Sequence, residues 1–456
     1  MLGKRIIFTL AVVTWLSICI SLLAQTNKAK DPGVRPGPNE GSALSGLTPD
    51  QLALFNEGKR RFAEDEKVTD GLGPRMNFSS CIGCHAFPAA GGSSPKVNPQ
   101  FQFATRPDHG TNTVPFFITA NGPTREARFK KTSTGTADGG VHDLFTIAGM
   151  SGVPATCSIR PPDFNANRNN VIFRIPTPVF GAGLMEQIRD SDILANQAKE
   201  ATAKGRLQIK GRSNLVISGN TRTQQAGETN ASGNDGTIAR FGWKAQNKSL
   251  LIFAGEAYNV EMGISNELFQ TEREEACSLK SAPNDTTNAP VSGNPLAVLS
   301  DVETFAAFMR FLAPPAPSNA VPGATPASIA NGTTIFSRVG CVFCHTPTLM
   351  TDPNSSVAAL RNKAANLYSD LMLHEMGEGL ADGISQGQAE GDEFRTAPLW
   401  GLGQRIFFLH DGRTSDLVQA ILEHRGTKSE ANEVIRQYMR LSEKEKQDLL
   451  NFLRSL

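Results

Sequence analysis

The residues of this 456-residue chain best suited to chemistry are seven cysteines and seven histidines. Four of the cysteines and two of the histidines fall in two pentapeptides, Cys81-Ile82-Gly83-Cys84-His85 and Cys341-Val342-Phe343-Cys344-His345. Cys-x-x-Cys-His is the attachment signal for haem c. Its two thiols add across the vinyl groups of the macrocycle, and the adjacent imidazole is placed to ligate the iron. A zinc half-site or a redox dithiol is the alternative reading, but zinc would need further ligand pairs at finger-like spacing. The motifs therefore predict two covalently attached haem c groups, with His85 and His345 as proximal iron ligands.

The flanking sequence supplies elements to position these residues. Thr48 can cap a helix, with Pro49 at its first position and Gln51 completing a capping box. A second helix starts at Ser300 with Glu303, placing Phe305, Phe308, Met309 and Leu312 on one face until Pro314-Pro315 stops it. A helix around Gly332 to Phe336 leads into the second motif. Ser442 and Glu445 open a terminal helix striped by Leu449, Leu450, Leu453 and Leu456. An early helix entering the motif and a late amphipathic helix closing over it is the plan of a cytochrome c domain, and here it occurs twice. The expected fold is mainly α, with two cytochrome c-like haem domains and long loops. The N-terminal domain, 47–315, is enlarged by insertions; the C-terminal one is 328–456, with a linker at 316–327. Residues 25–46 read as a flexible linker, and the insertions at 213–236 and 281–295 as surface loops. Cys157 and Cys277 are either a structural disulfide or two free buried thiols.

A fainter repeat supports the duplication. Arg174-Ile175-Pro176-Thr177-Pro178-Val179-Phe180-Gly181 resembles Arg395-Thr396-Ala397-Pro398-Leu399-Trp400-Gly401. Each precedes an aromatic segment bearing a cation, Phe241-Gly242-Trp243-Lys244 in one half and Phe408 to Arg413 in the other.

Lys4 and Arg5 precede an uncharged apolar run from Ile6 to Ala24, the signature of a secretory signal over 1–24. Haem c is attached outside the cytoplasm, so the periplasm or cell envelope is the expected location. The run is also long enough to span a bilayer, which leaves a membrane tether if it is not cleaved. Loss of Lys4 and Arg5 takes the formal net charge from +1 to −1, which excludes a basic nucleic-acid binder. The remaining roughly 430 residues exceed one usual core.

At these residues the chain resembles the di-haem oxidoreductase family of the bacterial dihaem cytochrome c peroxidase superfamily. Gly71-Leu72-Gly73-Pro74, Gly91-Gly92, Arg240 to Lys244 and Glu261-Met262-Gly263-Ile264 carry the likeness in the first half. Leu367 to Leu371, His374 to Gly377, Arg395 to Gly403, His410 to Arg413 and Ala420 to His424 carry it in the second. The resemblance implies unequal haems. The distal ligand of the electron-transfer haem falls on His424, 14 residues after His410, which implies a bis-histidine, low-spin iron. A surface histidine at a helix C-terminus is the plainer reading, and His374, Met376 and His410 are fallback ligands. The distal acid of the peroxidatic haem falls on Glu261, 18 positions after Trp243, where one carboxyl group can take and return the protons of peroxide cleavage. Where the peroxidases place a glutamine, this chain has Phe253. Glu186 and Gln187 are other candidates to furnish polar groups, and His109 or His142 to close the first haem at rest. Trp243 would relay electrons between the haems; a core aromatic is the plain alternative.

The implied function is that of an exported enzyme, a haem-dependent oxidoreductase of peroxidase type. Electrons would enter the C-terminal haem from a small cytochrome or copper protein, and hydrogen peroxide or another oxidant would react at the N-terminal haem. The alternatives are an electron-transfer cytochrome, or oxidation of a partner protein or organic substrate. Some relatives also hold calcium between the domains. Thiol oxidation by the motif cysteines is disfavoured, because thioether sulfurs cannot exchange disulfides.

Overall fold

Capping chemistry acts where the sequence puts it. The structure, a computed structural model, describes residues 28–37, 40–73, 75–105, 114–136, 145–146, 152–154, 156–157, 161–217, 235–270, 288–291 and 294–456. Six helices build the sites: α1 (Pro49–Phe62), α2 (Leu250–Met262), α3 (Asp301–Phe311), α4 (Pro326–Val339), α5 (Leu417–Leu422) and α6 (Glu443–Ser455). Reciprocal capping boxes start α1 at Thr48 and Gln51, α3 at Ser300 and Glu303, and α6 at Ser442 and Glu445. Each satisfies two backbone donors that the first turn leaves without helical partners. The strands form only two-stranded antiparallel ladders among the described residues, so the fold is mainly α as expected.

Two apolar cores follow from these helices. In the first, α1 crosses α3, with Phe62 and Phe308 rings 4.9 Å apart, and Tyr258 of α2 packs 5.1 Å from Phe305. In the second, α4 crosses α6, with Phe336 and Phe452 rings 5.3 Å apart. Both crossings are tight at a glycine. A methyl group on Gly58 of α1 would stand 2.2 Å from the Thr304 carbonyl oxygen, and one on Gly332 of α4 would stand 2.0 Å from that of Asp448. No side chain fits at such a separation, so glycine sets how closely the helices approach.

The internal repeat is structural as well. Arg174 ends strand β1's partner: β1 (Glu126–Phe129) pairs with β2 (Val171–Arg174), and Glu126 faces Arg174 in register. Arg395 ends β4 (Glu393–Arg395), which pairs with β3 (Leu373–Glu375). The glycine closing each repeat is left-handed, with φ +67° at Gly181 and +75° at Gly401. Loops of equal length follow, bridged at Phe241 and Asn247 and at Phe408 and Thr414.

Two expected linkers are packed rather than free. Residues 28–37, read as flexible, form a strap on the second core. There Arg454 Nε donates to Asp31 at 2.6 Å, and the buried Arg35 donates to the carbonyls of Ala316 and Leu456. The polar composition misled because the cations and carbonyls it needs lie at the far end of the chain. The linker at 316–327 also packs: Val321 is buried in the second core, and Ser318 N donates to Ser455 O at 2.8 Å. The described ends of the insertions at 213–236 and 281–295 are paired, Asn214–Ile217 on Asp235–Ala239 and Asn288–Val291 on Asn294–Ser300, and the rest of both, expected as surface loops, lies outside the described residues. Backbone groups near a core need partners, and pairing supplies them. Cys157 is disulfide-bonded, while Cys277, His109, His142 and the 1–24 segment lie outside the described residues. Among the described residues no helix is long and apolar enough to cross a membrane.

Candidate active site

Each Cys-x-x-Cys-His motif is wound into a single turn, so that the histidine turns back over the first cysteine. His85 N donates to Cys81 O at 3.0 Å, and His345 N to Cys341 O at 2.9 Å. Both imidazoles are anchored through Nδ1, to the carbonyl oxygens of Gly92 and Tyr368, each at 3.0 Å. That anchor fixes the tautomer and leaves Nε2 as the ligand atom. An aromatic ring from the preceding helix backs each imidazole, Phe62 at 5.8 Å and Phe336 at 6.4 Å. Burial pushes both histidines down to about 4, so they are neutral, as a ligand must be.

Each motif opens onto a large cavity. The first has about 1130 Å³ clear of protein atoms, its mouth included, and the second about 1440 Å³. Cys81, Cys84, Cys341 and Cys344 are all free and keep some accessible surface. Burial pushes Cys341 up to about 12, unlike a redox dithiol, which needs a stabilised thiolate. A paired thiol set and a pre-oriented imidazole on the wall of each cavity fit a haem at each site.

The second cavity brings His424 together with His345. His424 follows α5, and its Nδ1 is held by Ala420 O at 2.8 Å, so again Nε2 is free to bind. The two imidazoles are close enough for His424 to disfavour protonation of His345. The fallback ligands fare differently. His374 has both ring nitrogens engaged, Nδ1 with Glu430 at 2.7 Å and Nε2 with Asp370 at 3.0 Å, which removes it as a ligand. His410 lines the cavity but stacks on Phe394 at 4.4 Å, and Met376 lines it also. Cys344, Asp370 and His374 are the one cluster of three metal-donor side chains among the described residues. A thiol and an imidazole are not calcium donors.

The first cavity holds His85 as its only histidine among the described residues. Glu261, near the end of α2, lines it with Phe253, Glu256 and Tyr258. Desolvation, then the nearby Glu126 and Glu256 carboxylates, raise Glu261 well above the carboxylate range. Burial and like charge both favour its protonated form. Phe253 presents its ring to the cavity and stacks on Phe241 at 6.1 Å. Glu186 is taken up elsewhere: it accepts from Arg310 Nε at 2.6 Å and from Leu250 N at 2.9 Å, pinning α2 to α3. Neither Glu186 nor Gln187 lines the cavity, which corrects that expectation.

Trp243 borders both cavities. Its Nε1 donates to Ile175 O at 2.9 Å, and its ring lies 6.4 Å from His410. The neighbouring Lys244 is fully buried and bonds Asp382 Oδ1 at 3.1 Å, while Arg174 bonds Asp382 Oδ2 at 2.6 Å. This triad joins β2 to the segment that carries the tryptophan.

Sequence reasoning missed Glu126, Glu256, Tyr258 and Arg128 on the first cavity's wall. Period-two spacing in β1 puts Glu126 and Arg128 on one face, with Ala127 and Phe129 on a separate apolar cluster. That signal was legible only once the segment was known to be a strand. Tyr258 donates its hydroxyl to Glu66 at 3.0 Å. Burial, with Asp301, Glu64 and Asp70, pushes Glu66 up to about 8 against that hydrogen bond. Between its ordinary value of 4.5 and about 8, the folded chain keeps a proton that the unfolded chain has released. Stability from this group therefore falls as pH rises across that window. Glu66→Gln is expected to flatten the decline in urea midpoint between about pH 5 and pH 8; an unchanged slope would contradict the assignment.

The pattern described as "Di-haem oxidoreductase, putative peroxidase" matches residues 164–456. The match includes the second motif, His424, Glu261 and Trp243, and the first motif lies ahead of it. No curated protein matches the chain. Among solved structures it is similar to the diheme peroxidase BthA of Burkholderia thailandensis, at 14% identity over 94% of this chain and 92% of that one, with a TM-score of 0.34. It is also similar to hydrazine synthase of Kuenenia stuttgartiensis, at 15% identity over 56% of this chain and 88% of that one, with a TM-score of 0.28. These scores are too low to carry a structural argument. The sequence pattern covers more than half of the chain and implies two haem groups and oxidoreductase chemistry. The chain belongs to the di-haem oxidoreductase family.

Proposed function

We propose that the chain is an exported dihaem c-type enzyme of the cytochrome c peroxidase kind. It would carry a signal over 1–24 and two cytochrome c-like units, 47–315 and 328–456. The carrying observation is the inequality of the two cavities: a second histidine, His424, shares the cavity of His345, whereas Glu261, its proton affinity raised by burial, shares that of His85. Cys81 and Cys84 would hold one haem by thioether bonds and Cys341 and Cys344 the other, with His85 and His345 as proximal ligands. Bound haem would supply the electron storage and the iron centre at which peroxide is reduced.

The chain's own residues would do the rest. His424 closes the second site to substrate and makes it an electron port for a small cytochrome or copper protein in the periplasm or cell envelope. Glu261 gives a proton at its carboxyl oxygen to the departing hydroxide, and Glu126 and Glu256 nearby favour its reprotonation. Phe253 adds an apolar face to the cavity that Glu261 lines. Trp243 spans the gap between the cavities, with its indole N–H fixed by Ile175. The Phe253 wall also favours a second reading, oxidation of a bulkier organic substrate or a partner's side chain. Steady-state peroxide reduction by the holoprotein with reduced cytochrome c separates the two. Turnover supports the first reading; full haem occupancy with no turnover contradicts it.

A further inference from the structure

Three guanidinium groups stand on the wall of the first cavity, and two of them are already engaged. Arg125 Nε donates to Asp411 O at 2.9 Å, and its guanidinium lies over the Phe173 ring at 5.6 Å. Arg174 binds Asp382 at 2.6 Å and Gln386 Oε1 at 2.7 Å. Arg128 is different. It lines the cavity from β1, is 7% exposed, and makes no hydrogen bond or ion pair from its guanidinium among the described residues. Glu126, Glu256 and Asp382 are felt only at a distance, and Arg174 opposes them. Desolvation first, then Arg174, lowers Arg128 to about 10, so it still carries its charge at neutral pH.

A buried cation without a partner costs several kcal/mol. Stable burial therefore calls for an anion that completes the site. The planar fork of arginine matches a carboxylate in two-point contact. We propose that Arg128 is a carboxylate-binding residue of the first cavity. The carboxylate is either a propionate of the haem bound there, an arm that rests on the di-haem reading above, or the head of a diffusible carboxylate substrate. Arg128 then orients whatever carries that group against the β1 wall, with Glu261 on the wall formed by α2.

The test uses the holoprotein, with its covalent haem count taken by mass on every sample. Arg128→Gln is compared with wild type and with Arg128→Lys, which retains the charge. If a propionate is the ligand, Arg128→Gln lowers the midpoint of the first haem, reducing the ratio of reduced to oxidised haem at least threefold at a fixed potential, and Arg128→Lys restores it. If a diffusible carboxylate is the ligand, acetate perturbs the wild-type haem spectrum saturably, and Arg128→Gln weakens that binding at least tenfold. Two haems in every sample, with unchanged midpoint and unchanged acetate response in Arg128→Gln, overturn the proposal alone. Fewer than two haems in the wild type overturn the di-haem reading and the propionate arm with it. Should Arg128→Gln fail to fold, a wild-type midpoint and acetate response in Arg128→Met overturn the proposal equally.

Discussion

Replacing Glu261 with glutamine is expected to lower peroxide turnover roughly 10²–10⁴-fold, with both haems still bound. The carboxyl group sits at the end of α2, in the cavity that holds His85 and no other histidine among the described residues. Desolvation, Glu126 and Glu256 raise its affinity for a proton, which suits it to donate to a leaving oxygen. Glutamine preserves the size and a hydrogen-bond donor but cannot give up a proton. The loss should therefore fall on kcat more than on KM, because the proton moves in the transition state. Stopped-flow or steady-state rates with reduced cytochrome c check it. A decrease of less than threefold would remove Glu261 from the proton step.

Asp382→Asn is expected to destabilise the fold by about 3–5 kcal/mol, the cost of breaking a buried ion pair by removing one partner. Asp382 is fully buried between Arg174 at 2.6 Å and Lys244 at 3.1 Å. Burial raises its affinity for a proton, but the two cations outweigh that and hold it below the usual carboxylate value. Lys244 has further partners in the carbonyls of Glu390 and Glu393, at 2.8 and 2.9 Å, and Phe394 lies beneath it. Those dipoles do not neutralise two buried positive charges. Because Lys244 follows Trp243, the loosened triad should also disturb the contact between the cavities. The sign for pH follows from the lowered value: this stabilisation is present at neutral pH and lost as pH falls. Denaturant unfolding of the two proteins checks both statements. A difference below about 1 kcal/mol would mean that the triad contributes only as an exposed pair does.

Much of this arrangement was legible in the sequence, for identifiable reasons. The motifs are contiguous, so Cys81 to His85 and Cys341 to His345 needed no fold to be read. Capping boxes are local too, and Thr48, Ser300 and Ser442 start helices as their neighbours dictate. The repeat at Arg174 and Arg395 was visible because each closes on a glycine that the backbone requires. What was not legible depends on partners far away in the chain. The strap at 28–37 is held by Arg454, more than 400 residues later, and its own composition reads as loop. Arg128 and Glu126 reach the first cavity only because β1 pairs with β2 and the strand alternates its faces. Glu186 looked free to serve the cavity, yet Arg310, 124 positions away, takes its carboxylate. The resemblance placed Glu261 and Trp243 on cavity walls that local patterning could not have found.

The central claim is that the two cavities are unequal, one closed by His424 and one open beneath Glu261. Electron paramagnetic resonance of the holoprotein, oxidised and half-reduced, addresses it most directly, with cyanide added as an exogenous ligand. The account predicts one bis-histidine low-spin iron that ignores cyanide and a second iron that binds it in the half-reduced protein. Two low-spin irons in both states, neither accepting cyanide, would contradict it.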